Sequence, residues 1–106
     1  MDGNQVMPIP ALTAHGATIP AIGFGTSQLG DCGEAVAAAL KAGYRHIDTA
    51  WKYGSEQGVG EGIRASGVAR EEIFLCTKVS HEYLRAADFA RSVDESLARM
   101  QVDYVD

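Results

Sequence analysis

This sequence predicts an α/β fold built on a parallel sheet, and three observations lead there. Short apolar segments read as strands at Ala21-Ile22-Gly23-Phe24-Gly25, from Arg45 to Ala50 and from Ile73 to Val79. Helical patterns follow them, beginning at Asp31, at Ser55 and at Ala86. Strict alternation of strand and crossover helix lays successive strands side by side in one direction.

Upstream of the alternation, Ala11-Leu12-Thr13 and Ala17-Thr18-Ile19 flank His15-Gly16 and predict a small hairpin bracketed by Pro8, Pro10 and Pro20. The first helix can start at Asp31, whose carboxylate would cap free amides while Glu34 completes a capping-box-like pair. It carries Val36, Ala39 and Leu40 on one face and stops at Gly43. The second helix, from about Ser55 to Gly67, has Val59 and Ile63 one turn apart and the glycines Gly58, Gly60 and Gly62. Each glycine costs the helix about 1 kcal/mol against alanine. Either another backbone approaches closely there, or the helix is weak.

The third helix, about Ala86 to Met100, places Phe89, Val93, Leu97 and Met100 on one face and the pair Glu95 and Arg99 on another. Val102 to Asp106 predicts the start of a further strand.

In parallel α/β sheets and barrels, ligands bind at the carboxyl ends of the strands, which is where Asp48 and Lys78 fall. Adjacent strands lie about 4.8 Å apart, so two side chains on the same face can meet. Alternation puts His46 with Asp48, and Phe74 and Cys76 with Lys78. A buried lysine beside a buried carboxylate is expected only as a pair, because either ion alone would be severely desolvated.

Tyr53 lies in the loop after Asp48 and can fold back over the strand ends. A free phenol, with a pKa of about 10, is a poor acid at neutral pH. An ammonium about 4 Å from the phenolate, at an effective dielectric of about 20, lowers that pKa by about three units, less whatever desolvation takes back. Asp48 would hold Lys78 charged and oriented. Such an acid suits protonation of a carbonyl oxygen as hydride reaches its carbon. No side chain supplies hydride, so a nicotinamide cofactor is implied.

These residues resemble the aldo-keto reductases, NADPH-dependent enzymes built on a (β/α)8 barrel. Gly43-Tyr44-Arg45-His46-Ile47-Asp48-Thr49-Ala50, then Glu56, then Val59-Gly60, is similar to the family's first signature at every fixed position. Ile19-Pro20-Ala21-Ile22-Gly23-Phe24-Gly25-Thr26 looks like the entry into its first strand, and Phe74-Leu75-Cys76-Thr77-Lys78 like its third. Ser92 through Asp106 is similar to the run into the fourth, so the resemblance extends over nearly everything after Met7. The type most similar is the bacterial one that reduces diketo-gluconate and other small carbonyls.

The resemblance implies that Asp48, Tyr53 and Lys78 are three members of a catalytic tetrad, with Tyr53 the proton donor. It implies that Gly25, Thr26 and Asp48 line the nicotinamide half of NADPH, and that Trp51 and Lys52 lie near the substrate mouth. Ser55 departs from the family's usual asparagine, which alters a local turn hydrogen bond. The tetrad's histidine lies in relatives beyond the strand that starts near Asp103, and His15, His46 and His81 do not occupy that place. A (β/α)8 barrel takes about 250 residues. The 106 residues here hold three βα units and the start of a fourth strand after a leading hairpin. The expectation is therefore a partial barrel domain over 1–106, from the N-terminal side of a longer, monomeric reductase. Alone it is expected to be inactive and prone to self-association, through open sheet edges.

Composition adds exclusions. At 46% apolar and 22% charged this is an ordinary globular sequence, with a disordered tail expected at most over residues 1–6. The formal charge of −5 argues against nucleic acid and anionic membranes as partners. Cys32 and Cys76 have no CxxC or metal spacing, and no secretory or membrane segment is visible, so a cytoplasmic, reduced setting is the expectation. Cys76 reads as core filler, His46 as an interior group, Glu71-Glu72 as a solvated corner, and His81-Glu82 as a loop rather than half a metal site.

Three rival functions remain open. Gly23-Phe24-Gly25 suggests a dinucleotide-binding turn, but the third glycine that the phosphate turn requires is missing. Lys78 on a barrel strand also suits a Schiff-base lyase. A non-catalytic binding or structural member of the same family is the third.

Overall fold

The computed structural model describes residues 9–106. Pro8 and the expected tail lie outside the described residues. Strands β1 (Ala11–Ala14) and β2 (Ala17–Pro20) form the hairpin, paired antiparallel with Ala14 opposite Ala17. His15 and Gly16 take φ of 50° and 84°, the doubly left-handed turn whose twist matches the flanking strands.

Strands β3 (Phe24–Gly25), β4 (His46–Asp48) and β5 (Phe74–Cys76) form a second, parallel sheet in that order. Phe24 lies beside Ile47, and Asp48 lies between Gly25 and Cys76. The regular strands are shorter than the sequence segments, but single backbone bonds continue the pairing at both ends. Phe74 N–H donates to Arg45 O, Thr49 N–H to Cys76 O and Trp51 N–H to Lys78 O.

The crossovers are α1 (Gly33–Ala42) and α2 (Glu56–Ser66), and α3 (Ala86–Met100) follows β5. Val36 and Leu40 of α1, Val59 and Ile63 of α2, and Met100 of α3 pack with Ile47, Ile73 and Leu75 into one core. The sheet face turned from the helices carries His46, Asp48, Phe74 and Cys76, all half-buried.

The expected capping box of α1 is absent. Its N-cap is Cys32, without a side-chain cap bond, so Asp31 lies outside the helix. Gly43 ends the helix as expected, at φ 117°, with its N–H and that of Tyr44 reaching carbonyls of the last turn.

The α2 glycines are resolved in favour of close approach. A Cβ on Gly58 would stand 2.8 Å from Cys32 N, and one on Gly62 2.6 Å from Val36 Cβ. On Gly60 it would overlap the Met100 carbonyl. Glycine thus lets α2 lie against α1 on one side and against the end of α3 on the other.

The α3 boundaries match the sequence reading, but its buried face does not. Ser92, Ser96 and Met100 are buried, whereas Phe89 is 45% exposed and Val93 and Leu97 are half-buried. The buried stripe is thus Ser92, Ser96 and Met100, with the α2 approach closest at the Met100 backbone beside Gly60.

The expected strand over Val102 to Asp106 also fails to form. This segment lies beside β5 and donates one backbone bond, Asp106 N–H to Leu75 O. The neighbouring Leu75 N–H is taken by the Asp106 carboxylate at 2.9 Å, in place of the backbone carbonyl a ladder would require.

Candidate active site

Parallel register brings the predicted ion pair together. Asp48 lies beside Cys76, and alternation carries Lys78 to the same face. Lys78 Nζ donates to both Asp48 oxygens, at 2.9 and 3.0 Å, and to Thr49 O at 3.0 Å. The pair is not buried as expected, with side chains 49% and 36% exposed. No second layer covers this face of the sheet among the described residues. In such a wet setting an ion pair contributes at most about 1 kcal/mol to stability. Its main effect is to orient the lysine.

Tyr53 closes a short 3-10 turn, Trp51–Tyr53, immediately after the end of β4. Gly54 follows at φ 69°, a left-handed step that turns the chain into α2. The Lys78 ammonium lies 5.2 Å from the centroid of the Tyr53 ring. Desolvation is the largest single influence on Lys78 and pulls its pKa down. The Asp48 hydrogen bond and charge, with Tyr53, outweigh it, so the net shift is upward from 10.5. Burial, then the charge of Asp48, pushes the Cys76 thiol up from its ordinary 9.0. Tyr53 and Lys78 line a cleft of about 240 Å³ together with Ala50, Lys52, Ser80 and His81.

The remaining predicted residues divide. Gly25 ends β3 in open space, with nothing within 4 Å of where a Cβ would be. Thr26 is buried, and its hydroxyl donates to Asp48 O at 3.2 Å and pairs with Ser55 Oγ at 3.1 Å. That hydroxyl therefore braces the site from behind. Ser55 also meets Thr49 Oγ1 at 3.2 Å, so it is a buried junction of three hydroxyls.

Trp51 packs edge-on against Tyr83 with centroids 5.1 Å apart, and its buried Nε1 has no partner. Lys52 is exposed and lies 3.7 Å from Glu82. His46 is an interior group, its Nδ1 3.1 Å from Pro20 O and its ring against Phe74.

Sequence reasoning missed one constellation. Arg99 pairs with buried Glu56 at 2.8 Å, and its expected helical partner Glu95 lies farther off, at 4.0 Å. Nothing local announces a contact between residues 43 positions apart. Among the described residues, no three His, Cys, Asp or Glu side chains gather to hold a metal ion. No described helix is long and apolar enough to cross a membrane.

Residues 21–106 match the profile of the Aldo/keto reductase family. The chain belongs to that family. It is 50% identical over 93 residues to the glycerol 2-dehydrogenase (NADP(+)) of Saccharomyces cerevisiae, covering 86% of this chain and 29% of that protein. The crystal structure of an aldo/keto reductase from Brucella melitensis superposes with a TM-score of 0.91 at 43% identity, covering 96% of this chain and 40% of that one. A Bombyx mori aldo-keto reductase in complex with NADP superposes at 0.88 with 35% identity, covering 95% of this chain and 37% of that one. This aldo/keto reductase chain thus spans about a third of the length of the relatives it matches. The parallel sheet and crossover helices described above are its share of their common fold.

Proposed function

We propose that the protein carrying this sequence reduces aldehydes or ketones to alcohols with NADPH, and that Tyr53 donates the proton. The observation that carries this reading is the convergence at the strand ends. An ammonium held by three oxygen acceptors lies 5.2 Å from a phenol ring, and both line one open cleft. The cationic neighbour would stabilise the phenolate left after proton transfer. Asp48 keeps the lysine in place and protonated.

A nicotinamide would lie beside this cleft, at the end of β3. Gly25 leaves the end of β3 free of side chain next to Asp48, where a flat ring could lie against backbone. Gly25, Thr26 and Asp48 would form that end of the NADPH site, Thr26 from behind, since it is buried with its hydroxyl and its N–H both bonded to Asp48 O. When bound, the cofactor supplies the hydride. Trp51 and Lys52 would border the substrate.

A Schiff-base role for Lys78 is disfavoured, because such lysines need a lowered pKa and a free amine. Here the pKa is raised and all the near acceptors bind the ammonium. The 106 residues alone are expected to be inactive, since the catalytic face is left uncovered.

The test is Tyr53→Phe in the polypeptide that carries this sequence, measured as oxidation of NADPH by a small aldehyde. Turnover should fall about a hundredfold or more, with NADPH binding intact. Wild-type turnover in that variant would reassign the proton donor.

A further inference from the structure

Glu56 is a buried carboxylate that the proposed proton transfer leaves unused. It opens α2, and its side chain is 1% exposed. Both oxygens have donors: Oε1 accepts from Arg99 Nη1 at 2.8 Å, and Oε2 accepts from the Thr77 hydroxyl at 2.6 Å. A carboxylate at that depth is tolerated only with such partners.

The partners lead to opposite walls of the cleft. Thr77 directly precedes Lys78, and Glu56 follows Tyr53 across the turn at Gly54 and Ser55. Arg99 arrives from the last turn of α3, its guanidinium 5.5 Å from the Trp51 ring. One carboxylate therefore joins the start of α2, the end of β5 and α3 where the spacing between phenol and ammonium is set.

The geometry points to Glu56 as a positioning residue for the Tyr53 and Lys78 pair, acting through the Thr77 hydroxyl, with Arg99 as the counter-charge that also backs Trp51. This rests on the carbonyl-reductase reading. A carboxylate serving only to anchor the helices would need Arg99 alone; the Thr77 bond ties it to the strand that carries the lysine.

The decisive variant is Thr77→Val in the full polypeptide, which conserves volume and leaves Glu56 with Arg99. Expected is a fall in kcat of about tenfold with the Kd for NADPH and the KM for the carbonyl unchanged, the split that a misplaced phenol and ammonium give and a loosened fold does not. Thr77→Ser should restore kcat. Glu56→Gln should move kcat in the same direction, and if it fails to fold Thr77→Val decides.

A Thr77→Val enzyme with wild-type kcat, or one altered only in Tm, overturns the positioning role. Tyr53→Phe keeps the two claims separate. Retained turnover there defeats the proton-donor reading itself, whereas lost turnover beside an unaffected Thr77→Val defeats only the role of Glu56.

Discussion

Gly60→Ala sets two effects of opposite sign against each other. Helix propensity favours alanine by about 1 kcal/mol in a helix interior. Packing opposes it. The added Cβ would overlap Met100 O and stand 2.7 Å from Met100 C and Cα, in backbone that has no rotamer with which to yield. Met100 is fully buried in the core, and its carbonyl also accepts from Arg64 at 2.9 Å, so moving it disturbs both. Overpacking of this kind costs about 1–3 kcal/mol, and the rigid neighbour places it toward the upper end. The net expectation is a loss of about 1–2 kcal/mol, which lowers Tm by roughly 2–8 °C in a chain of about 250 residues. Thermal unfolding of the full polypeptide reads this directly. Gly33→Ala is the control: its Cβ would meet its nearest atom, Gly58 O, at an ordinary 3.5 Å, so it should be neutral or slightly stabilising. A Gly60→Ala protein more stable than wild type would show that α2 and α3 do not meet as described.

Asp48→Asn should lower kcat by about tenfold or more, since it removes the charge that holds Lys78, and steady-state turnover measures it. The stability that the ion pair adds should be present in full below pH 10.5 and vanish as pH rises through the raised pKa of Lys78. The Tm difference between wild type and Lys78→Met, small because the pair is half-exposed, should therefore hold to about pH 10 and then shrink; growth above that pH would contradict the assignment. Cys76 should react with iodoacetamide at pH 8 more slowly than a free cysteine peptide, and faster in Asp48→Asn, because burial and the Asp48 charge both hold its thiol protonated. The purified 106-residue chain should show no NADPH-dependent carbonyl turnover, and measurable turnover would mean that the catalytic face needs no further covering.

The hairpin, the alternation of strand and helix, and the meeting of Asp48 with Lys78 were legible in the residues. Turn chemistry at His15-Gly16, β-branched segments and helix-stopping glycines act over a few positions. Alternation puts Lys78 on the face of Cys76, and the register that sets Asp48 beside Cys76 completes the meeting. Other features depended on what packs against what. The Phe89, Val93 and Leu97 stripe of α3 has the periodicity of a core face, yet the serines of the neighbouring stripe are inside with Met100, whose backbone meets Gly60 of α2. Asp31 and Glu34 have capping spacing, but the helix begins after Cys32, whose thiol donates to Ser55 O at 3.5 Å.

The sequence by itself determined the order and type of the elements and the handing of Tyr53 to the end of β4, and it nominated Asp48 as the ionic partner of Lys78. Each follows from a period of two, a period of 3.6, or a single residue's backbone preference. Only the tertiary structure decided that Glu56 belongs to Arg99 and Thr77, that Thr26 turns its hydroxyl inward to Ser55, and that Lys78 and Asp48 pair while half-exposed. Those outcomes depend on distances between segments far apart in the chain, which local spacing does not encode.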